Sequence, residues 1–213
     1  MNRLIKIFSP AAAAAIIMSL AACNNYDLLN QLESPGKSTN NTGGFISLYL
    51  FSTSTPINGN IKGAFATARE GADAQCLGTR AGITFPNNGC NQVRAVISLS
   101  ASDSIGNMPL NYGVPTNRSI NASNNFVIAP DWNALRDGTS GNSLAPNVMP
   151  AATTWWSFST TGGNFDGTNN CSGGGNGSSF SGVAADSSVT GANWVTGSAL
   201  ICSGSYRLLC ICY

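Results

Sequence analysis

The hydrophobic pattern of the chain predicts short strands separated by long polar loops. The first strong segment is Phe45–Phe51, which is β-rich and mostly apolar, as is typical of a buried strand. Three later segments have a similar character, and we expect strands there as well: Val93–Leu99, Ala152–Phe158 and Tyr206–Ile211.

Two stretches predict helices. Ala64–Arg80 has a helical composition, but we expect Gly71 to interrupt it, so that the helix begins near Ala72. A shorter helix is predicted over Asp131–Leu135, because Pro130 precedes an acidic residue that suits a helix N-terminus.

Loops are expected in much of the remaining chain, between residues 100 and 130 and again from 160 to 193. Eight glycines fall between Gly162 and Gly182. We find no internal repeat, and the loops interrupt one fold rather than separating two. The pattern therefore predicts one domain over residues 45–213, long enough to bury a substantial core.

The N-terminus has the features of an export signal. Arg3 and Lys6 form a positive region, and a short apolar stretch, Ala11–Leu20, follows. This stretch is too short and small-sided to span a membrane, so residues 1–22 are predicted to be a signal peptide. Cys23 directly follows small residues, as in the bacterial lipobox, where the thiol is diacylated before cleavage. The alternative is an ordinary signal peptide followed by a coincidental cysteine.

Residues 23–44 predict a lipidated tether. They have no sustained apolar period and contain several breakers of regular structure. Acyl chains on Cys23 would anchor the mature protein to a membrane. The short cluster of Leu28, Leu29 and Leu32 is an alternative, since it could pack on the domain instead.

The composition then excludes several classes of function. Only 9% of the residues are charged and none is histidine, which excludes serine–histidine–acid triads, histidine general bases and histidine-based zinc sites. Removal of Arg3 and Lys6 with the signal peptide leaves eight basic and nine acidic side chains, a net charge of −1. Scattered basic residues do not make a nucleic-acid-binding face.

Six cysteines remain if Cys23 carries lipid, and an even number in an exported protein favours disulfides. Six cysteines allow fifteen connectivities, and spacing alone does not choose among them. We expect Cys210 and Cys212 to point to opposite faces of a strand and so to need different partners. No pair has CxxC spacing, and without histidine a metal site would need only cysteines or carboxylates. A redox or nucleophilic role lacks the usual activating neighbours.

Several segments together resemble a known family. They are Gly71–Cys76 (GADAQC), Val93–Ser100 (VRAVISLS), Pro130–Leu135 (PDWNAL) and Tyr206–Ile211 (YRLLCI). Their order and spacing resemble the endostatin domain of collagens across residues 45–213. With a lipobox in front, the chain is similar to the leptospiral endostatin-like surface lipoproteins of spirochaetes, a family largely of unknown function.

The resemblance implies an α+β, C-type-lectin-like fold with irregular loops and nested disulfides. It implies the pairs Cys76–Cys210 and Cys171–Cys202, which leaves Cys90 with Cys212 by elimination. The alternative is a local bridge from Cys90 to Cys76, which would displace Cys210.

The resemblance does not carry over the binding sites of endostatins and lectins. The zinc ligands of endostatin are mainly histidines, which this chain lacks, and the calcium motifs of C-type lectins do not occur. We therefore expect no zinc or calcium site and no cofactor. Within Trp155-Trp156, the family pattern favours Trp156 as the buried residue. Trp155 or Phe158 is then a candidate partner-facing anchor; the alternative is that neighbouring loops cover both.

The function implied is that of a non-enzymatic surface binding protein. It would be lipid-anchored in the outer membrane at the cell surface and would bind host extracellular-matrix proteins or complement regulators, as family members are associated with doing. A structural envelope lipoprotein without a host ligand is the alternative, and an enzyme is disfavoured because no nucleophile–base motif is present.

Overall fold

The computed structural model describes residues 47–86, 90–137 and 141–213. These residues belong to one compact unit, Gly44–Tyr213. The expected signal peptide, Cys23, the 23–44 tether and the first two residues of the Phe45–Phe51 strand lie outside the described residues. Within the described part of the chain, no helix is both long enough and apolar enough to cross a membrane.

A mixed eight-stranded sheet organises the fold. Seven of its strands lie in the order β4-β3-β1-β10-β5-β8-β9, and β2 pairs with β10 beside β5. The strands of this sheet are β1 Leu48–Ser52, β2 Val93–Ala95, β3 Ile120–Ala122, β4 Val127–Ala129, β5 Thr154–Trp156, β8 Ser181–Asp186, β9 Gly197–Ile201 and β10 Arg207–Cys212. A separate hairpin consists of β6 Ser159–Thr160 and β7 Asn164–Phe165.

The three longest helices beside the sheet in the described residues are α1 Ala68–Arg80, α2 Met108–Tyr112 and α3 Trp132–Asp137; shorter helical turns, including Cys171–Gly174, occur in the loops. The predicted start of α1 near Ala72 is wrong. The side chain of Thr67 accepts a hydrogen bond from the Glu70 backbone N–H, and the Thr67 backbone N–H donates one to the Glu70 carboxylate. This capping box satisfies free N–H groups of the first turn, so the helix begins four residues earlier than expected.

Gly71 does not interrupt α1, because its role is to allow close packing. A Cβ at Gly71 would lie 2.2 Å from the backbone oxygen of Ile61, whereas a Cβ at Gly78 in the same helix would meet nothing within 4 Å. The helix can therefore approach the Ile61 backbone only because residue 71 has no side chain.

We expect alanine at these two glycines to have opposite effects on stability. Gly78→Ala should raise the free energy of unfolding by about 1 kcal/mol, the usual helix-propensity gain. Gly71→Ala should lower it by about 1–3 kcal/mol, because overpacking against backbone outweighs that gain. Denaturant unfolding of the two variants measures both values. A stabilised Gly71→Ala variant would contradict the close packing.

The sheet separates two hydrophobic cores. Along β1, Leu48 and Leu50 face one core while Tyr49 and Phe51 face the other, as the two-residue period of a strand requires. The first core contains three tryptophans, Trp132, Trp155 and Trp194. The second contains all six cysteines that form disulfides.

Three disulfides join elements on one face of the sheet: Cys76–Cys210, Cys90–Cys212 and Cys171–Cys202. These are the pairs that the resemblance and elimination give, and the local bridge from Cys90 to Cys76 is not formed. The expectation that Cys210 and Cys212 point to opposite faces is wrong. Side chains two residues apart on a strand share a face, and both cysteines lie in the second core.

The segments expected to be loops contain regular elements. The stretch 100–130 holds α2, β3 and β4, and the stretch 160–193 holds the β6–β7 hairpin and β8. Most of these strands have only two or three residues, too few for a periodic signal. β8 has the sequence SGVAAD, whose glycine and alanines give little strand signal, and it becomes a strand because it lies between β5 and β9.

Candidate binding surface

A network of ion pairs fixes α1 against β2 and the loop that follows it. Arg69 donates from Nε and Nη2 to the carboxylate of Asp103, at 3.0 and 2.8 Å. It also donates to the backbone oxygens of Ala95 at 2.8 Å and Ile97 at 2.9 Å. Hydrogen bonds in which a guanidinium meets a carboxylate at two points are among the strongest in proteins. One mostly buried arginine thus links α1, β2 and the loop that carries Asp103.

Asp73 is the second acidic member of this network. Its carboxylate accepts hydrogen bonds from Arg94 Nη1 and from the Ala95 backbone, each at 2.9 Å, and lies 3.5 Å from Arg69 Nη1. Two arginines and two aspartates therefore balance in charge. Burial, the largest single effect, lowers the pKa of Arg69. The hydrogen bond to Asp103 and the charges of Asp103 and Asp73 together outweigh burial, so the pKa of Arg69 is raised. Both guanidinium groups stay charged at any physiological pH.

Tyr112 completes the network. Its ring centroid lies 5.1 Å from the guanidinium carbon of Arg69 and 5.1 Å from that of Arg94. Its hydroxyl donates to Asp103 Oδ1 at 2.9 Å. Burial, opposed by the charge of Arg69, raises the pKa of Tyr112 to about 12, so the hydroxyl keeps its proton for this hydrogen bond. Contacts of this kind between a cation and an aromatic ring help to hold both arginines in place beside Tyr112.

An open groove of about 370 Å³ lies beside this network, between α1 and β2. Phe65 and Leu77, which are 44% and 60% exposed, give it an apolar lining. We call it the α1 groove; its lining residues are Phe65, Glu70, Asp73, Ala74, Leu77, Val93 and Arg94. The residues contributed by α1 recur at three- and four-residue intervals and so share one helix face.

A smaller depression of about 290 Å³ lies on the other side of Phe65. Polar residues make up most of its lining, including Thr53, Ser54 and Gln75. Phe65 and Ala74 line both depressions, so Phe65 forms a ridge between them. The apolar side of this ridge, the α1 groove, is the better candidate for contact with a partner.

The residues expected from the sequence to face a partner are not on the surface. Trp155 and Phe158 are both 0% exposed. Trp155 stacks on Trp194 at 5.8 Å between ring centroids, and Phe158 packs on Trp156 at 5.3 Å. Both faces of the sheet are covered, so one indole of Trp155-Trp156 enters each core. The prediction of a partner-facing Trp155 or Phe158 is wrong, and the alternative that both are covered is correct.

Phe65 and Leu77 were not identified from the sequence, although one signal was available for Leu77. Cys76 lies in the second core with Ala72, which fixes the buried face of α1. Leu77 is rotated about 100° from Cys76 around the helix axis, so it must leave that face. Phe65 lies before the helix. Its exposure depends on the turn at Gly63 and on the path of the chain from there to Thr67, and this segment has no apolar period that would predict it.

The arginines of the chain converge only in part. Arg69 and Arg94 come together at Tyr112, but Asp73 and Asp103 neutralise them. Among residues 47–86, 90–137 and 141–213, no group of three or more histidine, cysteine, aspartate or glutamate side chains is placed to hold a metal ion. The chemistry that this surface offers is apolar contact beside a fixed charge network.

No protein-family model matches the sequence, and no curated protein is significantly similar to it.

Proposed function

We propose that the protein is a lipid-anchored bacterial surface protein that binds another protein through the α1 groove and catalyses no reaction. The observation that carries this proposal is the groove itself, an apolar depression beside a balanced ion-pair network. Large apolar side chains that stay exposed together in a rigid frame are typical of protein-binding surfaces.

The fold supports a more specific proposal about the structural class of the domain. Its mixed α+β architecture and its three disulfides support an endostatin-like, C-type-lectin-like domain. The expected nesting holds only for Cys171–Cys202, which lies within both other loops, because Cys76–Cys210 and Cys90–Cys212 interleave along the chain. We propose that class for residues 45–213, with the tether 23–44 lifting the domain from a membrane that Cys23 anchors. The family resemblance is the reason to place this anchor in the outer membrane, with the domain outside the cell.

The charges around the groove favour one chemistry of partner. Asp73 and Arg94 neutralise each other, which leaves the negative charge of Glu70 at the groove. Glu70 already accepts a hydrogen bond from the Thr67 backbone and is therefore held in place. The matching surface presents an aliphatic or aromatic side chain next to a lysine or arginine. Matrix proteins and complement regulators of a host are the candidates that the resemblance supplies.

Binding should depend on Leu77 and not on another exposed leucine. In a solid-phase binding assay with a panel of matrix and complement proteins, Leu77→Asp should weaken the saturable interaction at least about tenfold, as expected for a residue at the centre of an interface. Leu110→Asp is the matched control, because Leu110 is 86% exposed but does not line the groove. Glu70→Gln keeps the capping box and should reduce the salt dependence of binding.

Three outcomes would count against the proposal. Saturable binding to no member of the panel would favour a structural envelope role. Equal effects of Leu77→Asp and Leu110→Asp would place the interaction elsewhere on the domain. Protection of the domain from protease on intact cells would remove surface display. The mass of the mature N-terminus tests the anchor separately, since an unmodified Cys23 would contradict lipidation.

A further inference from the structure

In the part of the chain that the structure describes, strand β9 is an unprotected edge of the sheet. It is the last strand in the order, beyond β8, and its sequence is GSALI. Four of its five residues are exposed, and Ile201 is exposed by 60%. Sheet edges are usually protected by charges, proline or bulges, because their free backbone groups pair readily with another strand. β9 contains no charged residue and no proline, and its register with β8 is regular throughout.

The other edge of the sheet shows what such protection looks like. β4 has only three residues, and the register between β3 and β4 shifts at Ile120/Asn121. The side chain of Asn142 donates to the backbone oxygen of Val127 at 2.9 Å and so occupies an outward acceptor. Among the described residues, β9 is thus the longer and more regular edge, and of its outward backbone groups the Ile201 oxygen is the one already bonded.

The register shows which backbone groups of β9 point outward. The Cys202 N–H donates to the Phe180 oxygen at 2.8 Å, across the continuation of the β8–β9 pair. Hydrogen-bonded positions alternate along an antiparallel pair, so Leu200 and Ser198 also direct their backbone groups toward β8. Gly197, Ala199 and Ile201 then direct theirs outward. On this outer side the Ile201 oxygen accepts a bond from Gly204 N–H at 2.9 Å.

Of these three outward positions, Ala199 is the middle one, and Gly197 and Ile201 lie at equal distances along the strand on either side of it. We propose that β9 pairs antiparallel with β9 of a second copy of this chain, about a two-fold axis that passes beside Ala199. The two Ala199 residues exchange both backbone hydrogen bonds, and the Ile201 N–H of each copy donates to the Gly197 oxygen of the other. The interface is isologous, because the same short strand serves on both sides.

The side chains on β9 fit the same arrangement. In the two-fold pair, Ile201 lies opposite Gly197 of the other copy, which has no side chain to obstruct it. Ala199 is small and lies opposite itself, so the two strands can approach to normal sheet spacing. A five-residue strand buries less than the roughly 1,200 Å² of a standard stable interface, so the dimer is weak and depends on concentration. Molecules held on one membrane surface would meet this condition readily.

The test is the oligomeric state of the full chain, extracted from membranes in non-ionic detergent, by sedimentation over a wide concentration range. The wild type should show a reversible monomer–dimer equilibrium. Ala199→Pro removes an outward N–H without loss of a bond to β8, as an edge strand allows, and should raise the dimer dissociation constant at least about tenfold. Ile201→Lys should do the same by adding an edge charge. Val127→Lys, at the protected edge, should leave the constant unchanged.

A wild type that stays monomeric at every concentration would overturn this proposal. So would a dimer that Ala199→Pro and Ile201→Lys both leave intact, or one that Val127→Lys alone disrupts. The thermal unfolding temperature of each variant shows that the domain is folded. Binding to the matrix and complement panel through the α1 groove is measured separately, so either proposal can fail while the other stands.

Discussion

Removing either long-range disulfide alone should lower the free energy of unfolding by about 3 kcal/mol, well below the roughly 5 kcal/mol expected for an isolated loop of that length. The reason is that Cys76–Cys210 and Cys90–Cys212 close nearly the same loop. Their sequence separations are 134 and 122 residues. While one bond remains, the long loop stays closed in the unfolded chain.

The cost of losing one bond follows from the short segments between the two bridges. Cys90 lies 14 positions after Cys76, and Cys212 lies 2 positions after Cys210. Opening one bridge therefore releases a loop of about 16 residues, worth about 3 kcal/mol in the chain-entropy model. Opening both also releases the long loop, so the combined loss should be about 8 kcal/mol, which most domains of this size cannot tolerate.

Denaturant unfolding of paired cysteine-to-alanine variants tests this redundancy. The Cys76→Ala/Cys210→Ala and Cys90→Ala/Cys212→Ala variants should both fold, and the variant lacking all four cysteines should lose more stability than the two losses combined. Cys171→Ala/Cys202→Ala is the control, because its loop of 31 residues lies apart from this pair of bridges. Losses that simply add would show that the two bridges act independently.

Arg69→Ala should lower the free energy of unfolding by about 3–5 kcal/mol, as is typical when one partner of a buried ion pair is removed. Among the described side chains, the variant leaves the Asp103 carboxylate with one hydrogen-bond donor, the hydroxyl of Tyr112. It also takes away the bonds that the oxygens of Ala95 and Ile97 accept from the guanidinium. The attachment of α1 to β2 should weaken as a result.

Two further variants distinguish the loss of this ion-pair network from the loss of an arginine elsewhere in the domain. Arg69→Lys keeps the charge but supplies one nitrogen in place of a planar fork, so it should recover only part of the stability. Arg136→Ala is the control, because its Nε makes a bond to the Gly162 oxygen in a partly exposed position. It should cost less than about 1 kcal/mol. Equal losses for Arg69→Ala and Arg136→Ala would mean that the network adds little. Denaturant midpoints at constant slope provide the measurement.

Elements with a strong local signal were predictable from the sequence. β1 and β10 are continuous apolar runs at the centre of the sheet, and α3 begins close to where Pro130 and Asp131 indicate. β9 has no such signal, because GSALI becomes a strand through pairing with β8, and β8 is itself weakly patterned. β8 and β9 are strands because they pair with residues distant in the sequence, and a local sequence pattern does not show such pairing.

The candidate site was less predictable than the fold. The α1 groove exists because Gly71 lets the helix approach the Ile61 backbone and because Arg69 fixes the helix to β2. The contacts of Arg69 with Ala95 and Ile97 span 26 and 28 residues, so a local sequence pattern does not contain them. The predicted exposure of Trp155 was wrong for a related reason. Both faces of the sheet are covered by other parts of the chain, so a side chain that points away from one core enters the other.

The Cys76–Cys210 bridge has a mechanical consequence. Leu77, in the α1 groove, directly follows Cys76, and the covalent bond from Cys76 leads to Cys210 at the centre of β10. β10 is paired along its length with β1, the first strand after the proposed tether. Tension between a bound partner and the membrane would therefore run through a sulfur–sulfur bond into the middle of the sheet. The helix proposed to bind the partner should stay attached under flow even when its own packing loosens.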